Sequence, residues 1–305
     1  MKIAFEPDAG ACISSSSATL GTFDGVHLGH RALLKRLVQI AAETGTVSAV
    51  LTFDAHPLTV INPERAPRLL STLDEKLAAF ESAGIEQVLV LKFTRAIAGM
   101  TSGEFIRKYL IDCLGVMNFL AGYDHHLGKD KAHIADRFEE VSAANRITVE
   151  VLPPVMVDGT VVKSSRIREL IMAGGVEQAA RLLGYDYSFA GTVVRGRGIG
   201  RKIGFPTANI EPDEPFKVMP PNGVYAGWIE VSGERRNAAV LVGPSPTFGF
   251  TDELIEVHVP GFESDIYDAG VRVGFSRRLR DIRTFSSREE LVAQIRKDIE
   301  AVAGN

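Results

Sequence analysis

The sequence predicts an α/β half built on a parallel sheet, followed by an all-β barrel half that ends in a helix. Two observations carry this. Up to about residue 186, short apolar runs alternate with amphipathic runs of about 10–15 residues, the pattern of βαβ units. From Tyr187 onward the runs are short and β-branched, and turns rich in Gly, Pro, Asn and Ser separate them, the pattern of a barrel or sandwich. At 305 residues the chain is long for one core and comfortable for two. We expect one domain over 1–186 and a second over 187–305.

The elements follow in order. "SATLGTF" (17–23) reads as a strand closing on a glycine turn. "RALLKRLVQIAAETG" (31–45) is an amphipathic helix with Leu33, Leu34, Leu37, Ile40 and Ala41 near helical spacing and Gly45 as its stop. "TVSAVLTF" (46–53) is a strand. "TLDEKLAAFESAG" (72–84) is a helix whose Thr72 and Glu75 form a capping box. "IEQVLVLKF" (85–93) and "VMNFLAGYD" (116–124) are strands flanking the helix "TSGEFIRKYLIDCLG" (101–115). A helix over 134–146 and a strand within 146–159 complete the sheet. "SSRIRELIMAGGVEQAARLLG" (164–184) gives two short helices with a Gly-Gly break. The barrel strands are "FAGTVVRG", "GVYAGWIEV", "RNAAVLVG", "LIEVHVPGF" and "GVRVGFSRRLR", and "SSREELVAQIRKDIEAVA" is the closing helix.

Composition narrows the function classes. A net charge of −4 disfavours a general nucleic-acid-binding surface. Cys12 and Cys113 sit in no CxxC pair, so neither a disulfide scaffold nor a zinc ribbon is expected, and a reducing cytoplasm fits. The first residues carry Glu6 and Asp8 and no long apolar run, unlike a signal peptide. No stretch of about 18 apolar residues occurs, so no membrane span is expected.

Ligands of open α/β sheets bind beyond the carboxyl ends of the strands. "GTFDGVHLGH" (21–30), "FDAHP" (53–57) and "GYDHHLGKD" (122–130) each follow a predicted strand and should converge there. His27 and His30 are open to three readings. They are polar residues of a helix start, or two metal ligands needing a third such as His56, His125 or His126, or donors to an anion. Strand, glycine turn and helix start make an anion site by geometry, because free backbone N–H groups and the helix dipole point at it. Imidazoles there can stabilise charge building on a phosphate under attack.

The second motif is "VVRGRGIGRKIGFPTANI" (193–210). Arg195, Arg197, Arg201 and Lys202 alternate with glycines, which suits a loop folding over phosphates, a solvated basic hairpin or an RNA-binding loop. "GFPTAN" favours the first. If extended, Thr207 and Asn209 point to one face, and their oxygens suit Mg²⁺ shared with substrate phosphates.

These residues resemble prokaryotic bifunctional FAD synthetases over nearly the whole chain. "GTFDGVHLGH" resembles the HxGH signature of nucleotidyltransferases, and "GRKIGFPTAN" the riboflavin kinase motif. The resemblance implies a Rossmann-like FMN adenylyltransferase domain and a riboflavin kinase barrel. Riboflavin is phosphorylated by ATP with Mg²⁺ to FMN, and FMN is adenylylated by ATP to FAD and pyrophosphate. His27 and His30 would be catalytic in adenylyl transfer. Gly21, Phe23, Asp24, Gly29, Ser164, Ser165 and Arg168 would bind ATP or its phosphates, and an arginine fork suits pyrophosphate. His56, Asp124, His125 and Leu127 would meet flavin or nucleotide. In the kinase, Gly196, Gly200, Arg201, Gly204 and Pro206 would hold ATP, Thr207 and Asn209 would hold Mg²⁺, and Glu256 would be the catalytic base, though a strand glutamate is also commonly a solvated carboxylate. The chain departs from the family pattern where His125 and Leu127 replace aromatics, a loss of about 0.5–1.5 kcal/mol of stacking each. A riboflavin kinase with a weakened or inactive N-terminal half, and a flavin- or nucleotide-binding sensor, are the alternatives.

Overall fold

The computed structural model describes all residues except 8–11, 124–125, 128–131, 134–146, 197, 244–254, 263 and 304–305. For 126, 127, 132, 133, 199, 202 and 303 it describes the backbone alone. The chain divides into two compact units, Met1–Ser164 and Ser165–Asn305.

The strands of the first unit are β1 (Lys2–Phe5), β2 (Ser16–Leu20), β3 (Val47–Phe53), β4 (Gln87–Leu91), β5 (Val116–Gly122), the short pair β6 (His126–Leu127) and β7 (Ala132–His133), β8 (Thr148–Leu152), and a second short pair, β9 (Met156–Val157) and β10 (Thr160–Val161). Six of them form one parallel sheet in the order β1-β4-β3-β2-β5-β8. The helices are α1 (Leu28–Thr44), α2 (Leu58–Ile61), α3 (Leu73–Ser82), α4 (Arg95–Ala98) and α5 (Ser102–Phe105). Alternation along the strands sorts the core into two layers. Ala49, Leu51 and Phe53 of β3 and Leu89 and Leu91 of β4 pack with Phe105, Tyr109 and Leu110 on one face. Val50, Val88 and Val90 pack with Leu33, Leu34, Leu37 and Phe80 on the other. Each such buried side chain contributes about 1.5–3 kcal/mol.

The capping box at α3 is present: the Glu75 amide donates to Thr72 Oγ1 at 3.2 Å, and the Thr72 amide to Glu75 Oε2 at 2.9 Å. The structure departs from expectation at β1 and over residues 101–115. β1 is an edge strand that sequence reading leaves unassigned. It pairs only with β4, and Ile3 and Phe5 are exposed, so it carries no half-buried alternation. The predicted helix over 101–115 is α5 followed by a π-helical stretch at Ile106–Ile111. The helix expected over 134–146 lies outside the described residues.

The second unit opens with α6 (Ser164–Met172) and α7 (Val176–Leu183). Then come β11 (Tyr187–Val194), α8 (Ile199–Ile203), β12 (Ala208–Pro212), β13 (Gly223–Val231), β14 (Glu234–Val242), β15 (Ile255–His258), β16 (Gly270–Arg280) and α9 (Arg288–Ala303). The six strands close an antiparallel barrel in the order β11-β12-β15-β14-β13-β16, with β16 paired back to β11. Tyr187, Phe189, Tyr225 and Phe275 are fully buried, and the Phe275 ring lies 5.9 Å from Phe189 and 5.4 Å from Tyr225. The expected barrel and closing helix are both present.

Candidate active sites

In the first unit the chain runs β2, β3, β4 to one side of β2, then continues with β5 and β8 on the other. The strand order therefore switches between β2 and β5, where open sheets open a ligand crevice. The segment 21–27 leaves the carboxyl end of β2 and feeds α1. "DAHP" leaves β3 beside it, and Tyr123 leaves β5. Sequence reading brings these three segments to one sheet edge, and the described parts lie there.

The loop over 21–27 is strained and held from several sides. Phe23 has φ +50° and Val26 φ +31°, and a β-branched residue rarely adopts such a conformation outside a constrained site. Asp24 is buried, and its Oδ1 accepts from the Leu70 amide at 2.9 Å and the Ser71 amide at 3.0 Å. The Gly25 amide donates to Ser71 Oγ, and Ser164 Oγ donates to the Asp24 carbonyl at 2.8 Å. Thus Asp24 and Ser164 both hold the shape of the loop.

His27 is the N-cap of α1: its Nδ1 accepts from the His30 amide at 3.3 Å. An accepting Nδ1 leaves the proton of the neutral ring on Nε2, a donor. The two imidazoles stack at 3.6 Å with 15° between planes, and the Phe23 ring supports His30 edge-on at 5.1 Å. A side chain at Gly29 would come within 3.1 Å of the His27 ring. Among the described residues no group of three His, Cys, Asp or Glu side chains is placed to hold a metal. His56 Nδ1 accepts from the Leu58 amide at the start of α2. Asp124 and His125 lie outside the described residues, as does the side chain of Leu127. At the end of β5, Lys163 Nζ sits 5.1 Å over the Tyr123 ring. Ser165 is exposed and Arg168 half-buried; both stand on α6, in the second unit.

In the barrel, "GFPTAN" enters β12, and Asn209 lies in register with Glu256 of β15. Thr207 Oγ1 donates to Glu256 Oε2 at 3.3 Å. Glu256 is half-buried rather than solvated, and burial pushes its carboxyl above the usual range, against the opposing effect of the Thr207 bond. The glycines are spaced for close approach. A Cβ at Gly196 would lie 1.9 Å from Asn209 Nδ2, and one at Gly200 2.3 Å from the Phe205 carbonyl and 3.1 Å from Thr207 Oγ1. The basic segment is partly helical: α8 ends at Gly204, and the Phe205 amide donates to the Gly200 carbonyl at 2.8 Å. Arg201 and Pro206 are exposed.

Two residues escaped sequence reading. His258, two along β15 from Glu256, donates from Nδ1 to the Pro206 carbonyl at 2.8 Å and fixes the turn before Thr207. Its signal was the i, i+2 spacing on a strand already singled out. Lys76 is buried in the first turn of α3, and the charged run Asp74-Glu75-Lys76 concealed it, since such a run reads as a solvated face. The arginines near the end of β16 also sort themselves. Arg277 donates to the Ala301 carbonyl and Arg280 pairs with Asp298, both on α9. Arg278 reaches the Asn222 carbonyl and Asp281.

A strained turn with two stacked histidines at a helix start, and a barrel strand pair presenting hydroxyl, amide and carboxylate oxygens, suit phosphoryl and nucleotidyl transfer in two separate units. Residues 11–166 match the family described as FAD synthetase, and residues 183–304 the family described as riboflavin kinase. The bifunctional riboflavin kinase/FMN adenylyltransferase of Pseudomonas fluorescens is 34% identical over 296 residues, covering 97% of this chain and 93% of its own. That of Bacillus subtilis is 35% identical over 290 residues, 93% and 90% of the two chains. A solved structure described as a macrolide-efflux protein from Streptococcus pneumoniae superposes with a TM-score of 0.88 at 29% identity over 99% of each chain. It contributes the fold to the comparison; among the described residues no helix is long and apolar enough to cross a membrane. The chain belongs to the bifunctional riboflavin kinase/FMN adenylyltransferase family. It is a transferase of flavin cofactor synthesis acting on riboflavin, FMN and ATP.

Proposed function

We propose that the two reactions are carried by the residues just described, with adenylyl transfer in 1–186 and riboflavin phosphorylation in 187–305. The observation that carries the kinase assignment is the Thr207–Glu256 hydrogen bond opposite Asn209. The riboflavin hydroxyl gives its proton to the Glu256 carboxylate as its oxygen bonds to the γ-phosphorus of ATP and ADP leaves. The donor set fits Mg²⁺: Thr207 Oγ1 and the Asn209 amide oxygen are hard ligands, and the described residues hold no all-protein cage. Mg²⁺ bound there with ATP would neutralise phosphate charge. Gly196, Gly200, Arg201, Gly204 and Pro206 shape the phosphate cover.

In adenylyl transfer an FMN phosphate oxygen bonds to the α-phosphorus of ATP and pyrophosphate leaves. His27 and His30 donate to the phosphate oxygens, Gly21 and Gly29 leave room for them, and Phe23, Asp24 and Ser164 hold the loop. Ser165 and Arg168 receive pyrophosphate; His56, Asp124, His125 and Leu127 line the nucleotide and flavin side. Both ATP-dependent steps suit the cytoplasm.

The test is a pair of variants assayed for both activities. Glu256→Gln is expected to lower FMN formation about 10²–10⁴-fold while FAD formation from supplied FMN continues. His27→Ala is expected to do the reverse, lowering adenylyl transfer about 10²–10³-fold. Retention of the targeted activity by either variant overturns that half of the assignment.

A further inference from the structure

The loop that leads into His27 and the start of α1 rests on a buried cation. Lys76 is only 7% exposed. Its ammonium donates to the Phe53 carbonyl at 2.9 Å and the Thr22 carbonyl at 3.2 Å. Phe53 ends β3 immediately before "DAHP"; Thr22 lies in the strained turn after β2. One side chain from α3 therefore ties together the two loops at the ends of neighbouring strands. An ammonium suits this place, since it offers three donors to acceptors that an apolar side chain would leave unsatisfied. From the loop after β2 it faces the Asp24 carboxylate, and from the segment after β3 that of Asp54, both of which favour its charged form. On its own helix, Glu75 turns back to the Thr72 amide.

We propose that Lys76 is a positioning residue for adenylyl transfer, holding the Thr22 and Phe53 carbonyls in place and setting a positive charge beneath the phosphate-binding loop. The proposal rests on the assignment of that loop to adenylyl transfer. A fixed cation behind the loop favours the anionic phosphates the loop receives, and it acts without touching them. Burial outweighs the two carboxylates and brings the ammonium down to about 8. The charge is accordingly present at neutral pH and lost on mild alkalinisation, and with it the tie between the two loops weakens.

The experiment measures FAD formation from FMN and ATP between pH 7 and 9.5 in the full chain. It compares wild type, Lys76→Met, Lys76→Arg and His27→Ala, with riboflavin phosphorylation followed in each preparation. Lys76→Met is expected to lower kcat ten- to a hundredfold at pH 7, the size of effect that small misplacements of a site produce, with KM for ATP changed less. Wild type is expected to lose adenylyl transfer as pH rises through about 8. Lys76→Arg, which stays charged, is expected to recover most of the rate and to lack that fall, whereas a merely structural contact would not move the pH profile. Full kcat in Lys76→Met, or the same alkaline fall in wild type and Lys76→Arg, overturns the proposal. If Lys76→Arg does not fold, Lys76→Met decides: a pH-independent residual rate supports the proposal and an unchanged alkaline fall overturns it. Undiminished FAD formation in His27→Ala would instead overturn the site assignment on which the proposal stands.

Discussion

Glu256 illustrates what a buried functional group costs the fold. Its carboxyl is raised by burial, so the folded state binds this proton more tightly than the unfolded chain does. Its unfavourable contribution to stability is therefore absent below the ordinary glutamate range and is complete once pH has risen past the raised value. Two outcomes follow. Glu256→Gln melts above wild type at pH 7 in a thermal scan while its kinase activity is lost. The kinase rate of wild type falls on the acid side with a midpoint above that of an ordinary glutamate. Thr207→Val removes the bond that lowers the carboxyl, so the acid limb of its remaining activity, normalised to its own plateau, moves to higher pH. Lys76 has the opposite sense of shift and the same kind of cost: holding it charged near pH 7 opposes folding by roughly 3 kcal/mol. The two residues also mark the limit of sequence reading. Glu256 was singled out in the sequence because it sits in an alternating strand beside a recognisable segment. Lys76 was not, because burial of a lysine depends on carbonyls supplied by two distant loops.

At the level of elements, the glycines of 193–210 were legible as a distinct glycine–arginine segment, but what they are spaced for was not. Gly196 clears Asn209, and Gly200 clears the Phe205 carbonyl, so the segment packs against the strand that carries Asn209 and the turn before it. Gly196→Ala is expected to displace Asn209 and raise the kinase KM for ATP at least about tenfold, with adenylyl transfer from FMN unchanged. Steady-state assays of both activities on one preparation check this. The closing helix α9 docks through charge as well as apolar contact. Asp298 is buried, and its carboxylate takes Arg280 at 2.9 Å. Removing one partner of a buried pair strands the other at about 3–5 kcal/mol. Asp298→Ala should accordingly lower the melting temperature of its unit by on the order of 10 °C. Sequence reading gave α9 as the closing helix and "GVRVGFSRRLR" as a strand. The contacts of Arg277 and Arg280 with α9 required the third dimension, since side chains on one strand are distributed among whatever packs there.

At the level of the molecule, the change from alternating helix and strand to short β-branched runs was legible because it follows periodicity, and periodicity reflects which faces are buried. The strand order was not, because a parallel sheet admits several orders for one series of βαβ units. It is the order that puts the β2 and β5 ends side by side. If the flavin contacts proposed for His125 and Leu127 replace aromatic ones, FMN is expected to bind the adenylyltransferase weakly. Incubation with riboflavin, ATP and Mg²⁺ should therefore accumulate FMN before FAD appears, as chromatographic separation of the flavins would record. FAD appearing with no transient FMN would contradict this.

The barrel, being closed, has no strand left without a neighbour. The sheet of the first unit is open, and β1, at one end of its order, carries Phe5 and Ile3 at 60% and 40% exposure. An edge with no second strand partner among the described residues, bearing apolar side chains, is a template for another chain. Ageing of concentrated stocks should thus begin in the first unit, with strands of separate molecules joining edge to edge, and a charge placed at Phe5 should lengthen the shelf life of the protein without touching either reaction.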